Sequence, residues 1–206
     1  MNYKLYYAPG TASMCIRTFL EEIGEPYELI QTKTDRLKRR PEEQMKINPN
    51  GWVPVLSWDD GAMYECAAIT MFLCDRYRKA KLAPKLEAPE RSLFLQTLLY
   101  FASSVQIAFQ LDYHPYRFAY MPEDERSAQQ RGHRRLRETW HVVDDQIGDN
   151  HYILGDILSA TDIYLYMLTT WLNQSRGHPA IAEFPNVQRI ADEVAKRASI
   201  RKVYGL

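Results

Sequence analysis

Two kinds of hydrophobic spacing divide the chain. Residues 3–7 form an aromatic-rich strand pattern that Ala8-Pro9-Gly10 ends. Met14, Phe19, Leu20 and Ile23 then fall on one side of a helix, with Arg17, Glu21 and Glu22 elsewhere and Gly24 closing it. Residues 27–30 predict a second strand, and the charged run 33–40 a solvated helix or loop. Residues 53–58 predict a third strand, Asp59-Asp60-Gly61 a hairpin turn, and residues 62–64 a fourth strand. Ala68, Ile69, Phe72, Leu73 and Tyr77 complete this half with a helical stripe. The predicted order is β-α-β, a linking segment, then β-β-α.

After residue 80 strand signals vanish. A proline-containing charged linker (81–88) leads to predicted helices at 90–111, 123–147, 159–172 and 186–198, with an aromatic irregular segment at 112–122. The reading is an α/β domain over 1–80 and an all-α domain over 89–206, with no internal repeats.

Composition narrows the class. The chain has 206 residues, 46% of them hydrophobic, enough for one large core or two compact ones. Lys+Arg and Asp+Glu are 26 each, so no overall field attracts nucleic acid or a membrane surface, and a near-neutral chain favours self-association. No apolar run approaches the 18 or so residues of a membrane span, and the N-terminus is too short and aromatic for a signal peptide. Cys15, Cys66 and Cys74 are odd in number and form no Cys-x-x-Cys pair, which points to a reduced, cytoplasmic compartment.

Candidate chemistry gathers in a few places. Val53-Pro54 opens a strand with a residue that cannot donate to the ladder, leaving the Val53 backbone open to a ligand or marking only an edge strand. Glu65-Cys66 begins a helix, where free N–H groups and the dipole favour an anion; Glu65 could accept from a ligand ammonium or merely complement the dipole. Cys66 reads as a reactive thiol or a small buried filler. Ser13 is an N-cap or a hydroxyl donor to a nearby thiolate, a role Tyr6 or Tyr7 could also fill, though alternation lets only one of the two face the site. Ser159 and Asp162 form a capping box stapled by Leu158 and Ile163, a structural device. The five histidines show no metal-binding spacing, and His133 and His141 on their charged helix read as solvated. There is no Gly-rich phosphate loop.

With the element order, the motif Asn48-Pro49-Asn50-Gly51-Trp52-Val53-Pro54-Val55-Leu56, the helix start Glu65-Cys66-Ala67-Ala68-Ile69 and the Ser159/Asp162 box, nearly the whole chain resembles the cytosolic glutathione S-transferase family. Its opening, Tyr6-Tyr7-Ala8-Pro9-Gly10-Thr11-Ala12-Ser13, is most similar to the bacterial beta-class branch.

The resemblance implies a thioredoxin-like domain followed by a helical one, a homodimer, glutathione as co-substrate and no metal. Trp52, Val53, cis-Pro54, Glu65 and Cys66 would bind glutathione. A small hydrophobic electrophile would sit between the domains, near Gln106, Phe109, Tyr113 and Tyr116. The implied reaction is detoxifying conjugation by the glutathione thiolate, with Ser13 activating the thiol and Tyr7 as second choice. Isomerisation, dehalogenation or a non-catalytic binding role on the same scaffold are the alternatives. The chain departs from the branch at Ala12, where its cysteine falls, at Gln106, where it has histidine, and at Trp52 and Cys66, which replace better hydrogen-bonding side chains.

Overall fold

The computed structural model describes residues 2–33 and 40–206. The charged run expected at 33–40 therefore lies almost wholly outside the described residues. The chain divides into two compact units, residues 1–83 with 196–206, and residues 84–195.

The first unit is built on a four-stranded sheet in the order β2-β1-β3-β4. β1 (Tyr3–Tyr7) lies inside it, parallel to β2 (Tyr27–Gln31) and antiparallel to β3 (Val55–Trp58), which pairs with β4 (Gly61–Tyr64). Tyr3, Leu5 and Tyr6 are all buried, so β1 is covered on both faces. The third strand begins two residues later than the sequence pattern suggests, because Pro54 offers no N–H to the ladder.

Helices α1 (Ser13–Ile23) and α3 (Cys66–Arg76) pack on each other. Ile16, Leu20, Ile69 and Leu73 are fully buried with Leu5, Val55 and Leu56 of the sheet. Burying a Leu or Ile side chain stabilises by about 1.5–3 kcal/mol, so this cluster is the unit's main source of stability. A short helix, α2 (Glu42–Ile47), was not legible as a helix, although Pro41 followed by two acids is a helix-start signal.

The last helix of the chain, labelled α9 below, belongs to this unit rather than to the all-α domain into which the pattern places it. Charged residues at its start and along it find partners on α1: Arg197, just before the helix, makes two hydrogen bonds to Glu22, at 2.7 and 2.6 Å, and Lys202 reaches Glu21 at 2.7 Å.

The second unit is all helical: α4 (Glu90–Tyr100), a single π-helical turn (Phe101–Val105), α5 (Gln106–Tyr113), α6 (Glu125–Ile147), α7 (Ala160–Thr169) and α8 (Pro185–Ala195), before α9 (Ala198–Tyr204) returns to the first unit. The run from Glu90 to Tyr113 is 24 residues and holds an 18-residue stretch with a mean hydropathy of 1.4, enough by length and composition to cross a membrane, contrary to the residue-by-residue reading. Gln96, Thr97 and Gln106 interrupt the run without lowering its average below that of a span. Phe94, Leu98, Phe101 and Val105 of this run are fully buried within the unit, the placement of a core helix. α6 approaches α5 closely at Gly132, where a Cβ would come within 2.9 Å of the Leu111 Cβ and 3.1 Å of the Ala108 carbonyl. Asp162 fulfils its structural role: it accepts from the Ser159 N–H at 2.8 Å and the Ile153 N–H at 2.9 Å, so the capping box also ties down the preceding loop.

Candidate functional site

In the first unit, the backbone around Val53 and the start of α3 leave polar groups unspent. The Val53–Pro54 bond is cis. Val53 makes no backbone hydrogen bond among the described residues, so its N–H and C=O are open to a ligand. The loop before it is held from beneath. Gln44, fully buried, donates to the carbonyls of Gly51 and Trp52 at 3.2 and 3.3 Å and accepts from the Thr32 hydroxyl at 2.8 Å. Asn48 donates to the Trp52 carbonyl at 3.2 Å, and Arg40 to the Gly51 carbonyl at 2.6 Å. Gly51 has φ +68°, and a side chain there would strike the Arg40 Cδ at 2.5 Å. Trp52 is 42% exposed and is held in this bracing through its carbonyl.

Glu65 precedes α3 with φ 76° and ψ 115°, in the left-handed region that a non-glycine residue seldom occupies. Its side chain is exposed and forms no hydrogen bond among the described residues. The first intrahelical bond runs from the Ile69 N–H to the Glu65 carbonyl, so the N–H groups of Cys66, Ala67 and Ala68 are not used by the helix. Together with the dipole they form an anion-binding end. Cys66 is buried, its thiol donating to the Ala12 carbonyl at 3.5 Å. Burial, and then a hydrogen bond with Cys66, push the Cys15 thiol well above its ordinary value, so Cys15 is an inert filler.

The turn between β1 and α1 holds Ser13 and Tyr7 in different states. Ser13 is fully buried; its hydroxyl donates to the Ala8 carbonyl and accepts from the Ala8 N–H, both at 3.1 Å, and meets Thr11 Oγ1 at 2.7 Å. Tyr6 points to the other side of the sheet, donating to Glu43 at 3.0 Å; burial first and this bond second push its phenol up to about 12. Tyr7 is half-buried under the Arg17 guanidinium, 5.8 Å from its ring, and its hydroxyl is unpaired among the described residues.

In the second unit, Gln106 is half-buried, its amide oxygen accepting from Tyr164. Phe109 is 1% exposed and enclosed by the rings of Tyr113, Trp140, Trp171 and His178; it backs the surface without forming it. Tyr113 and Tyr116 are 37% and 38% exposed. Tyr113 is fixed at both ends, its hydroxyl donating to the Trp171 carbonyl at 2.8 Å and the Arg176 guanidinium lying 4.7 Å from its ring.

Beneath Tyr113 lies Asp112, which sequence reasoning did not single out. It is 2% exposed and accepts from Arg176 Nε at 2.7 Å, His178 Nε2 at 2.9 Å and His133 Nε2 at 3.0 Å. His133 is thus a partner of a buried carboxylate, not the solvated residue its charged helix suggests. Burial raises the Asp112 carboxyl, but these bonds outweigh it and hold the carboxyl below its usual range. Asp112, His133 and His178 have their ligand atoms within 4.8 Å of one another, close enough to hold a metal ion. However, His178 Nδ1 accepts from the Asn173 N–H at 3.1 Å, so its Nε2 carries the proton and has no lone pair for a cation. In this arrangement the cluster is a hydrogen-bonded clamp.

Comparison with known proteins fits this geometry. Residues 1–75 match the family model for the glutathione S-transferase N-terminal domain, and residues 92–198 the model for its C-terminal domain. The chain belongs to the glutathione S-transferase family. It is 27% identical over 172 residues to glutathione S-transferase GstA of Escherichia coli O157:H7, covering 82% of this chain and 81% of the relative. It is 25% identical to a beta-class glutathione S-transferase of Sphingomonas chungbukensis, with a TM-score of 0.83 over 98% of this chain and 97% of the other. A Sulfitobacter glutathione transferase homologue, with bound glutathione, shares the fold at a TM-score of 0.88 and 24% identity, covering 98% and 97% of the two chains. The first unit accordingly contains the family's N-terminal, thioredoxin-like domain, and the second unit most of its helical C-terminal domain.

Proposed function

We propose that the chain is a glutathione transferase that joins the glutathione thiolate to a small hydrophobic electrophile. The observation that carries this reading is Glu65. A non-glycine residue in the left-handed region, beside helix N–H groups that the helix does not use, is a local cost that a ligand's γ-glutamyl end would offset. Cys66 N–H would hold the carboxylate and Glu65 the ammonium. Val53 N–H and C=O would pair with the cysteinyl backbone, with Pro54 setting that edge and Trp52 flanking it. Gln106, Tyr113 and Tyr116, backed by Phe109, would receive the electrophile. Glutathione is the co-substrate; no step calls for a metal.

For the thiol, the structure favours Tyr7 over Ser13 as hydrogen-bond donor, since the Tyr7 proton is unspent and Ser13 is enclosed. One such bond would lower the thiol pKa by about one to two units, enough to populate the attacking thiolate at neutral pH. The family's homodimer and a reducing, cytoplasmic setting belong to the same proposal; none of Cys15, Cys66 and Cys74 forms a disulfide. A second reading, a glutathione-transferase-like binding protein without turnover, is favoured by Ala12 and by the enclosed Ser13 hydroxyl.

The test is retention on immobilised glutathione followed by turnover of 1-chloro-2,4-dinitrobenzene. Retention with turnover supports the transferase; retention without turnover of this and other electrophiles favours the binding protein; neither would remove glutathione from the account.

A further inference from the structure

The π-helical turn Phe101–Val105 lies immediately before Gln106. One extra residue in a turn rotates everything after it by about 100° relative to an unbroken α-helix. Phe101 and Val105 at the ends of that turn are fully buried, and the Phe101 ring lies 5.6 Å from the Tyr164 ring on α7. The turn thus seats Gln106 against α7, where Tyr164, itself fully buried, donates its hydroxyl to the Gln106 amide oxygen.

A glutamine amide has one carbonyl oxygen and two N–H donors on opposite branches. With the oxygen spent on a buried phenol, the NH2 group is fixed on the other branch. It has no partner among the described residues, and the side chain is half-buried rather than fully solvated. A freely rotating glutamine would present either group to a ligand; this one keeps its oxygen on Tyr164 and turns its donors the other way. The exposed Tyr113 ring belongs to the same helix.

We propose that Tyr164 locks Gln106 as a hydrogen-bond donor that selects electrophiles bearing an acceptor oxygen on the activating group, a nitro or carbonyl. This rests on the transferase reading above. When the thiolate adds to a chloronitroarene, the new C–S bond pushes an electron pair onto the nitro oxygens; the pair returns as the C–Cl bond breaks and chloride leaves. With an enone the pair rests on the carbonyl oxygen until water protonates the α-carbon. In both cases the oxygen facing Gln106 Nε2 gains negative charge in the transition state, where a fixed donor counts most. Tyr164 is a positioning residue in this scheme, and Gln106 the group that meets the substrate.

The experiment compares 1-chloro-2,4-dinitrobenzene with benzyl chloride, which has no acceptor oxygen, on the wild-type protein and on Gln106→Ala, Gln106→Glu and Tyr164→Phe. Gln106→Ala is expected to lower kcat/KM for the nitroarene about tenfold, the value of one charge-assisted hydrogen bond, and for benzyl chloride by less than about twofold. Gln106→Glu, similar in shape but without donors, falls at least as far. Tyr164→Phe falls less, because the freed amide still visits the donor pose, and the Gln106 side-chain NH2 resonances shift and narrow as it begins to rotate. Equal losses for both electrophiles, or none, overturn the proposal. If the wild type turns over neither, the transferase reading fails, and calorimetry with S-(2,4-dinitrophenyl)glutathione and S-benzylglutathione decides separately. A preference for the nitro compound that Gln106→Ala erases supports the donor; an unchanged ratio overturns it. Should neither compound bind, the glutathione reading and this inference fall together. Should Tyr164→Phe not fold, the two Gln106 variants still decide.

Discussion

Thr11 Oγ1 lies 2.7 Å from Ser13 Oγ, and both hydroxyls also approach the Ala8 carbonyl, at 2.8 and 3.1 Å respectively. Two hydroxyls carry two protons. One satisfies Ala8 and the other bridges the pair, so neither is left for an incoming sulfur without breaking a bond already made. Tyr7, with its phenol unpaired among the described residues, carries no such cost.

The pH dependence of kcat/KM separates the two donors. Tyr7→Phe is expected to raise the kinetic pKa of the bound thiol by about one unit, and Ser13→Ala to leave it within a few tenths while destabilising the turn by about 1 kcal/mol. The reverse pattern, a raised pKa in Ser13→Ala alone, would return the role to Ser13.

Gln44 braces the loop that presents Val53, so its effect should fall on binding rather than chemistry. Gln44→Leu removes the donors that meet the Gly51 and Trp52 carbonyls and leaves the Thr32 hydroxyl without its acceptor. Stranding buried polar groups costs about 1–3 kcal/mol each. The expected result is a lower melting temperature and an affinity for glutathione weakened about tenfold, with a smaller change in kcat at saturating glutathione. Unchanged affinity by calorimetry would show that the loop holds its shape without Gln44.

Local signals made much of this protein legible. The switch from mixed to purely helical spacing placed the two kinds of architecture. Val53-Pro54, Glu65-Cys66 and the Ser159/Asp162 box announced themselves because each device is contained within a few residues. What escaped depends on residues distant in sequence. Asp112 draws its partners from 21 to 66 residues away, and nothing near it in the chain marks it as the floor under Tyr113. The π turn before Gln106 is set by packing against α6 and α7, and the close approach at Gly132 by α6 lying against α5. Whether Ser13 is a spent or a free hydroxyl is a matter of hydrogen bonds that residue types alone do not settle. The last helix was assigned by position, yet Glu22 and Arg197 put it with the first unit.

That pairing predicts an acid-sensitive clasp. Burial raises the Glu22 carboxyl, but the bonds from Arg197 and Ser199 outweigh it, leaving the carboxyl below its ordinary value of 4.5. A carboxyl depressed in the folded state adds stability above its unfolded value and loses it as pH falls through the folded one. Glu22→Gln is expected to cost about 1–2 kcal/mol at pH 7, a figure reduced for the partial exposure of Arg197, and to abolish that share of the acid sensitivity. Equal stability of the two proteins at pH 7 would reduce the clasp to a surface ion pair.

His178 predicts a second acid effect, in a higher pH range. Burial lowers its pKa from the ordinary 6.5, outweighing the Asp112 carboxylate beside it, and its Nδ1 is occupied by the Asn173 N–H. The unfolded chain therefore takes up a proton at this residue near pH 6.5 while the folded protein resists, so stability is lost as pH falls from about 6.5. His114, also lowered, mainly by burial, adds to the same loss. Asp112, depressed below its ordinary 3.8, is lost only in stronger acid. His178→Gln should lower stability at pH 7 by breaking the clamp, and flatten the decline between pH 7 and 6 compared with the wild type. Urea unfolding at both pH values measures this, and parallel declines in the two proteins would mean that His178 does not resist protonation in the fold.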